Sequence, residues 1–180
     1  MLKFKSKKML PYIAIPFIIA LYLVFKYKTD DIMTIIRSLS LISFGYIAAY
    51  SDLKTRTIPN KLILIILVVW VVLMSIHIII DIEPAIKSLT QSLISSTAGG
   101  GFFLAIYFIS RKGIGGGDVK LIAVMGLFMT LAKLMTMLFF SSLVTALVSG
   151  ILLITKRATM KTAIPLVPFL YLGTLIIIFM

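Results

Sequence analysis

Ser51-Asp52-Leu53-Lys54-Thr55-Arg56-Thr57-Ile58-Pro59-Asn60 is a polar insert between two long apolar runs, residues 33–50 and 61–80. A helix that crosses a bilayer needs ~20 mostly apolar residues. Both flanks approach that length, so the insert reads as a link at a membrane surface. Pro59 cannot continue a helix from before it, and Asn60 is a good N-cap for the run that follows. Ile58-Pro59-Asn60 is therefore a re-entry turn. Asp52 sits at the end of the preceding run, where an ionisable group is costly unless it has a task or a partner.

Working outward, the same pattern recurs along the chain. Seven candidate spans lie at about 10–25, 33–50, 61–80, 88–110, 119–132, 134–154 and 163–180. The expected class is all-α, a polytopic transmembrane helix bundle of about seven spans. Composition agrees: 61% of the 180 residues are hydrophobic and 13% charged, with a mean hydropathy of +1.14. A soluble domain is ~45–50% apolar and ~25% charged. Residues 1–180 read as a single integral-membrane domain, 1–30 being a basic segment with an extra span and 33–180 the core. Lys3, Lys5, Lys7 and Lys8 before an apolar run resemble a signal peptide. There is no small-x-small cleavage site, and Pro11 and Pro16 interrupt the run, so it reads as a retained span.

The charge of +12 is distributed in a way that argues for topology rather than for nucleic acid. Most of the 18 basic residues lie in the N-terminus and in the links near 51–61, 110–120 and 155–161. The alternate links hold Lys26, Lys28, Arg37, Lys87 and Lys133. The positive-inside rule then places the N-terminus in the cytoplasm and the C-terminus outside. It also places Asp52 on the same side as a second acidic insert, Gly113-Ile114-Gly115-Gly116-Gly117-Asp118-Val119-Lys120. The span after that insert is short, because only residues 121–132 separate Lys120 from Lys133. Either its helix starts below the surface with Asp118 sunk in the bundle, or spans five and six form one re-entrant unit.

Two carboxylates on separate segments and one face suggest an acid/base pair. Hydrolysis by such a pair needs one ionised carboxylate to activate water and one protonated carboxyl to polarise the carbonyl. Mutual repulsion a few Å apart produces that division, and the titration belongs to the pair. No cofactor is required. No metal is expected either, since the chain has no cysteine and one histidine. Gly115, Gly116 and Gly117 can take φ > 0 and let another backbone approach. Asp118 at the start of a helix is favoured in its ionised form by ~0.3–1 kcal/mol, which makes it the more readily ionised partner. The bland alternative is that Asp118 is only a helix cap.

Asp-x5-Ile-Pro-Asn, from Asp52 to Asn60, followed by Gly-x-Gly-Asp-x-Lys, from Gly115 to Lys120, resembles the type IV prepilin peptidases and the archaeal preflagellin peptidases. Ile164-Pro165-Leu166-Val167-Pro168-Phe169-Leu170-Tyr171-Leu172-Gly173 is similar to the family's proline-containing final helix. The resemblance covers roughly residues 40–175. It implies a membrane aspartyl protease of the GxGD type with Asp52 and Asp118 catalytic. Pro59, Asn60, Gly115, Gly117 and Lys120 would be supporting residues. Its substrates would be prepilin-like or preflagellin-like precursors, cut between a short basic leader and a hydrophobic helix at the cytoplasmic face of the cell membrane. Many bacterial members carry paired CxxC motifs and also N-methylate the product. This chain has no cysteine, so methyltransferase activity is not expected.

The remaining polar residues read as structural. His77 is near the outer end of its span, interfacial or packed. Asp81 and Glu83 face water. Arg37 snorkels outward. Trp70 packs or anchors at the interface. Gly99, Gly100 and Gly101 interrupt a span and permit close packing. Two rival readings are an ion-coupled transporter, because intramembrane carboxylates and glycine-broken helices also mark ion paths, and a silent scaffold of a pilus or secretion system.

Overall fold

Hydrophobicity that runs right around a helix leaves it two homes, a core or a lipid phase, and the computed structural model shows both. It describes residues 31–110, 115–156 and 164–180. The expected first span at 10–25, the basic residues before it, and Gly113 and Ile114 lie outside the described residues. Within them the chain forms six helices and no strand: α1 (Ile32–Thr55), α2 (Asn60–Ile80), α3 (Ile82–Ile109), α4 (Gly116–Gly126), α5 (Leu131–Ile154) and α6 (Val167–Phe179). The class is all-helical, as expected. α1, α2, α3 and α5 are long and apolar enough to cross a membrane, and α6 is a shorter apolar helix. Leu64, Ile65, Val68, Val71 and Val72 of α2 are exposed. Such a surface is suited to acyl chains, because a water-facing patch of that size would drive association.

Local chemistry sets the boundaries. Asp81 alone joins α2 to α3, ending one helix and preceding the next in an extended conformation. α3 begins earlier than the expected 88 because Pro84 falls in its first turn, where no N–H partner is lost. Thr130 caps α5, its Oγ1 accepting the Lys133 N–H at 3.4 Å. α6 begins at Val167 rather than 163, with Pro168 in its first turn. Asn60 is not a cap: Pro59 holds that position, without a side-chain hydrogen bond, and Asn60 is the first helical residue.

α4 lies at the heart of the bundle. Val119, Leu121, Ile122, Val124 and Met125 are all buried. It packs against α3 and α2, while α1, α6 and α5 close the other side through successive contacts and α5 also meets α3. At 1.5 Å per residue its 11 residues rise ~16 Å, about half the ~30 Å hydrocarbon core. The buried turn Leu127-Phe128-Met129 carries the chain on to α5. The short span is thus a separate sunken helix and not half of a re-entrant unit: its start lies beside Asn60, and its exit lies beside Thr34 and Arg37 at the other end.

Missing side chains permit this. A Cβ on Gly100 would meet the Ala123 Cβ at 2.7 Å, and one on Gly126 would meet the Ser96 backbone at 3.0 Å. Gly99 and Gly100 are both buried, Gly99 against Leu134 of α5 and Gly100 against Ala123 of α4. Gly101 faces open space. The three glycines do not interrupt the helix, since α3 runs unbroken from Ile82 to Ile109. Between α5 and α6, Gly173 presses on the Met137 carbonyl and on Ser141. Close approach through small residues is how helices gain contact area where lipid removes the hydrophobic drive.

Arg37 does not snorkel outward. It turns into the bundle, donating to Ser88 Oγ of α3 and lying 3.0 Å from His77 Nδ1 of α2. His77 is buried, in agreement with a packed role, and Asp81 and Glu83 are exposed.

Candidate active site

Asp52 comes from the last turn of α1. The helix ends just beyond it because Arg56 takes a left-handed conformation at φ 53°, with its N–H donating to the Asp52 carbonyl at 2.9 Å. The Asp52 side chain is only 6% exposed. Its Oδ2 accepts the backbone N–H of Val167 at 3.1 Å. Val167 opens α6, so this N–H is one of the donors a helix cannot satisfy from within. A carboxylate on α1 thus caps a helix that begins 115 residues later.

Asp118 is the third residue of α4, with Gly115 at the cap position. Its N–H donates to the Gly115 carbonyl at 3.0 Å, and its carboxylate bonds back to the Gly115 backbone. This is the geometry in which a third-position acid closes a helix start on itself. Asp118 therefore does have a capping contact. Among the described residues no glycine has φ > 0, so the backbone conformation expected of Gly115, Gly116 and Gly117 does not occur. What matters is their missing Cβ. On Gly117 it would meet Ile58 at 3.3 Å, and on Gly115 it would meet Asp118 Oδ2 at 2.9 Å.

The two loops are tied together. Lys120 Nζ donates to Asn60 Oδ1 at 3.2 Å, and Ile58, beside Pro59, lies over Gly117. The supporting residues named from the sequence thus gather where α2 and α4 begin. Pro59 shapes the turn and has no side-chain bond of its own.

Asp52 and Asp118 line one cavity of ≈ 470 Å³. Arg56, Phe103, Leu138, Ser141 and Leu170 share its wall. Asp118 stands in the first turn of α4, outside the four candidate spans. Burial, and after it the charge of Asp52, push its carboxyl up to about 6 against the pull of the Gly115 bond. The helix-end preference for the ionised form is outweighed there. Among the described residues no His, Asp and Glu gather in a group of three that could hold a metal.

The sequence did not single out Arg56 or the Val167 N–H. The signal for Val167 was present: a Pro at 168 in a helical run marks a first turn, hence unpaired N–H groups nearby. Nothing in the sequence said which side chain would meet them.

Residues 39–150, more than half of the chain, match the type IV leader peptidase family. The chain is 30% identical over 135 residues to a protein of Bacillus subtilis (strain 168) named prepilin leader peptidase/N-methyltransferase. That match covers 75% of this chain and 52% of the relative, so the chain spans about half the length of the curated protein it resembles. No solved structure matches. Both aspartates fall inside the matched region, whereas α6 lies beyond it.

Proposed function

This chain belongs to the type IV leader peptidase family, and on that premise we propose that it is a membrane aspartyl endopeptidase. It removes the short basic leader from prepilin-like or preflagellin-like precursors at the cytoplasmic face of the cell membrane. Residues 33–180 form the catalytic core of a single domain. Asp52 and Asp118 are the catalytic pair. The observation that carries this reading is their shared cavity, together with the Asp118 carboxyl raised to about 6 by burial and by Asp52.

A pair holding one proton divides the work of hydrolysis. The ionised oxygen takes a proton from water as the water attacks the scissile carbonyl carbon. The protonated carboxyl hydrogen-bonds to the carbonyl oxygen, and the proton taken from water passes to the amine nitrogen as the C–N bond breaks, leaving the pair with one proton again. The Val167 N–H fixes the Asp52 carboxylate against α6, and the Gly115 contact fixes Asp118 against α4. Each group is thereby oriented before substrate arrives. Phe103, Leu138 and Leu170 offer the apolar wall along which a substrate helix can lie. Pro59, Asn60, Gly117 and Lys120 hold the two loops in register. The proposal is confined to leader cleavage; methyl transfer, half of the relative's name, is not part of it.

The test is cleavage of a prepilin-like peptide by the purified protein in detergent or lipid nanodiscs. Asp52→Asn and Asp118→Asn should each abolish cleavage with the thermal transition retained. Cleavage that survives either change rejects the two-aspartate mechanism. A transporter or silent scaffold predicts no leader cleavage by the unaltered protein.

A further inference from the structure

At the opposite end of the bundle from the aspartates, the sunken α4 leaves space above it. A cavity of ≈ 260 Å³ opens there between the starts of α1, α3 and α5. One water needs ~10–15 Å³, so the cavity holds far more than a single solvent molecule. Its floor is Phe128 and Met129 from the buried turn, one part of its wall is apolar, from Ile35, Leu41, Ile177 and Ile178, and the rest is polar. Arg37 and Lys133 line it from two helices, with Ser38, Ser88, Gln91 and Thr130 between them. Among the described residues no acidic side chain lines it.

A guanidinium half-buried in a membrane helix, as Arg37 is, is expensive unless its charge is met. The partners of Arg37 are a hydroxyl, a thioether and an imidazole nitrogen. These satisfy donors without supplying a negative charge. Asp31 is near enough to act on Arg37 electrostatically, but it is exposed at the helix start and is not part of the cavity wall. The 24-residue α5 begins at the same place, so Thr130 and Lys133 add the positive end of a long helix. Two cations from separate helices and hydroxyl donors, around a cavity with room for several solvent molecules, form the donor set that selects a tetrahedral oxyanion.

We propose that this cavity binds a phosphate group between Arg37 and Lys133, on the membrane face opposite the aspartates. The group comes either from an anionic phospholipid headgroup or from free phosphate. Arg37 supplies the forked contact and Lys133 the mobile one. The bound anion would tie α1, α3 and α5 together above the turn that ends α4, and so brace the helix that carries Asp118.

The experiment uses the delipidated full chain in a neutral detergent, with thermal unfolding followed against titrated ligand. Phosphatidylglycerol and inorganic phosphate are the two probes, and zwitterionic phosphatidylcholine is the control. Wild type should gain a concentration-dependent rise in Tm from at least one phosphate probe beyond any from the control. Stabilisation by phosphatidylglycerol alone identifies the lipid, and stabilisation by inorganic phosphate identifies the free ion. Lys133→Gln, at an exposed position, leaves the fold intact and should weaken the apparent affinity about tenfold, the loss of one charge-assisted contact. Arg37→Gln should weaken it at least as much. Equal stabilisation of wild type and Lys133→Gln, or no response to either phosphate probe, overturns the proposal.

Discussion

Asp118 is the residue on which the proposed chemistry and the cost of this fold meet. Its carboxyl is raised from 3.8 to about 6, so between those values the folded protein holds a proton that the unfolded chain releases. Stability therefore falls as pH rises through that window, and the penalty is complete above about 6. Asp118→Asn removes it. The variant should unfold at a higher temperature than wild type at pH 7.5, by a stability difference on the order of 1–3 kcal/mol. The gap should shrink towards pH 4. A scan of Tm against pH for both proteins checks this, and a constant gap would mean that Asp118 is not destabilised by ionisation. The same proton sets a kinetic expectation. If the pair works with one proton, kcat/KM for a prepilin-like peptide should fall on the alkaline side of about 6 as that proton leaves. A profile flat between pH 5 and 8 contradicts the pair.

At the scale of elements, α4 shows why short helices belong inside. Its apolar surface is covered on all sides by neighbours, and its two ends are anchored by Lys120 on Asn60 and by the buried turn. The seams that make room for it are glycines. Gly100→Val would drive a branched side chain into Ala123, and Gly173→Ala would push a Cβ against the Met137 carbonyl at 2.6 Å. Each should destabilise by about 1–3 kcal/mol, the usual cost of overpacking. Gly101→Ala, with nothing within 4 Å, should be neutral or slightly stabilising, because alanine is the better helix former. Thermal unfolding of the three variants side by side tests the assignment, since the glycines at 100 and 101 are adjacent but should behave oppositely.

For the whole molecule, the arrangement of ends is the testable quantity. α1 ends and α4 begins at the aspartate end, while Asp81 and Glu83 turn at the other. The absence of cysteine makes single-cysteine labelling clean. Lys54→Cys should react with a membrane-impermeant maleimide only from the cytoplasmic side of oriented vesicles, and Glu83→Cys only from the opposite side. The reverse pattern would overturn the proposed orientation and leave the aspartates facing away from a cytoplasmic leader. Both sites reacting from one side would break the helix order itself.

The amino-acid sequence by itself determined the all-helical class and the approximate helices among the described residues, and it pointed to the two carboxylates of the proposed site with their glycine and Pro-Asn surroundings. Those properties follow from local rules: the length of an apolar run against the bilayer, the cost of a charge beside it, and the residues that stop a helix. It misplaced Arg37, the capping of α2 and the use of the glycines, because each depends on what faces the residue from a different helix. Only the tertiary structure decided that Asp52 meets the N–H of Val167, that Asp118 feels the charge of Asp52, and that Arg37 turns inward to Ser88 and His77. Burial and proximity created those relations, and both arise only when distant segments pack. A hydrogen bond spanning 115 residues leaves no periodicity for a linear reading to find.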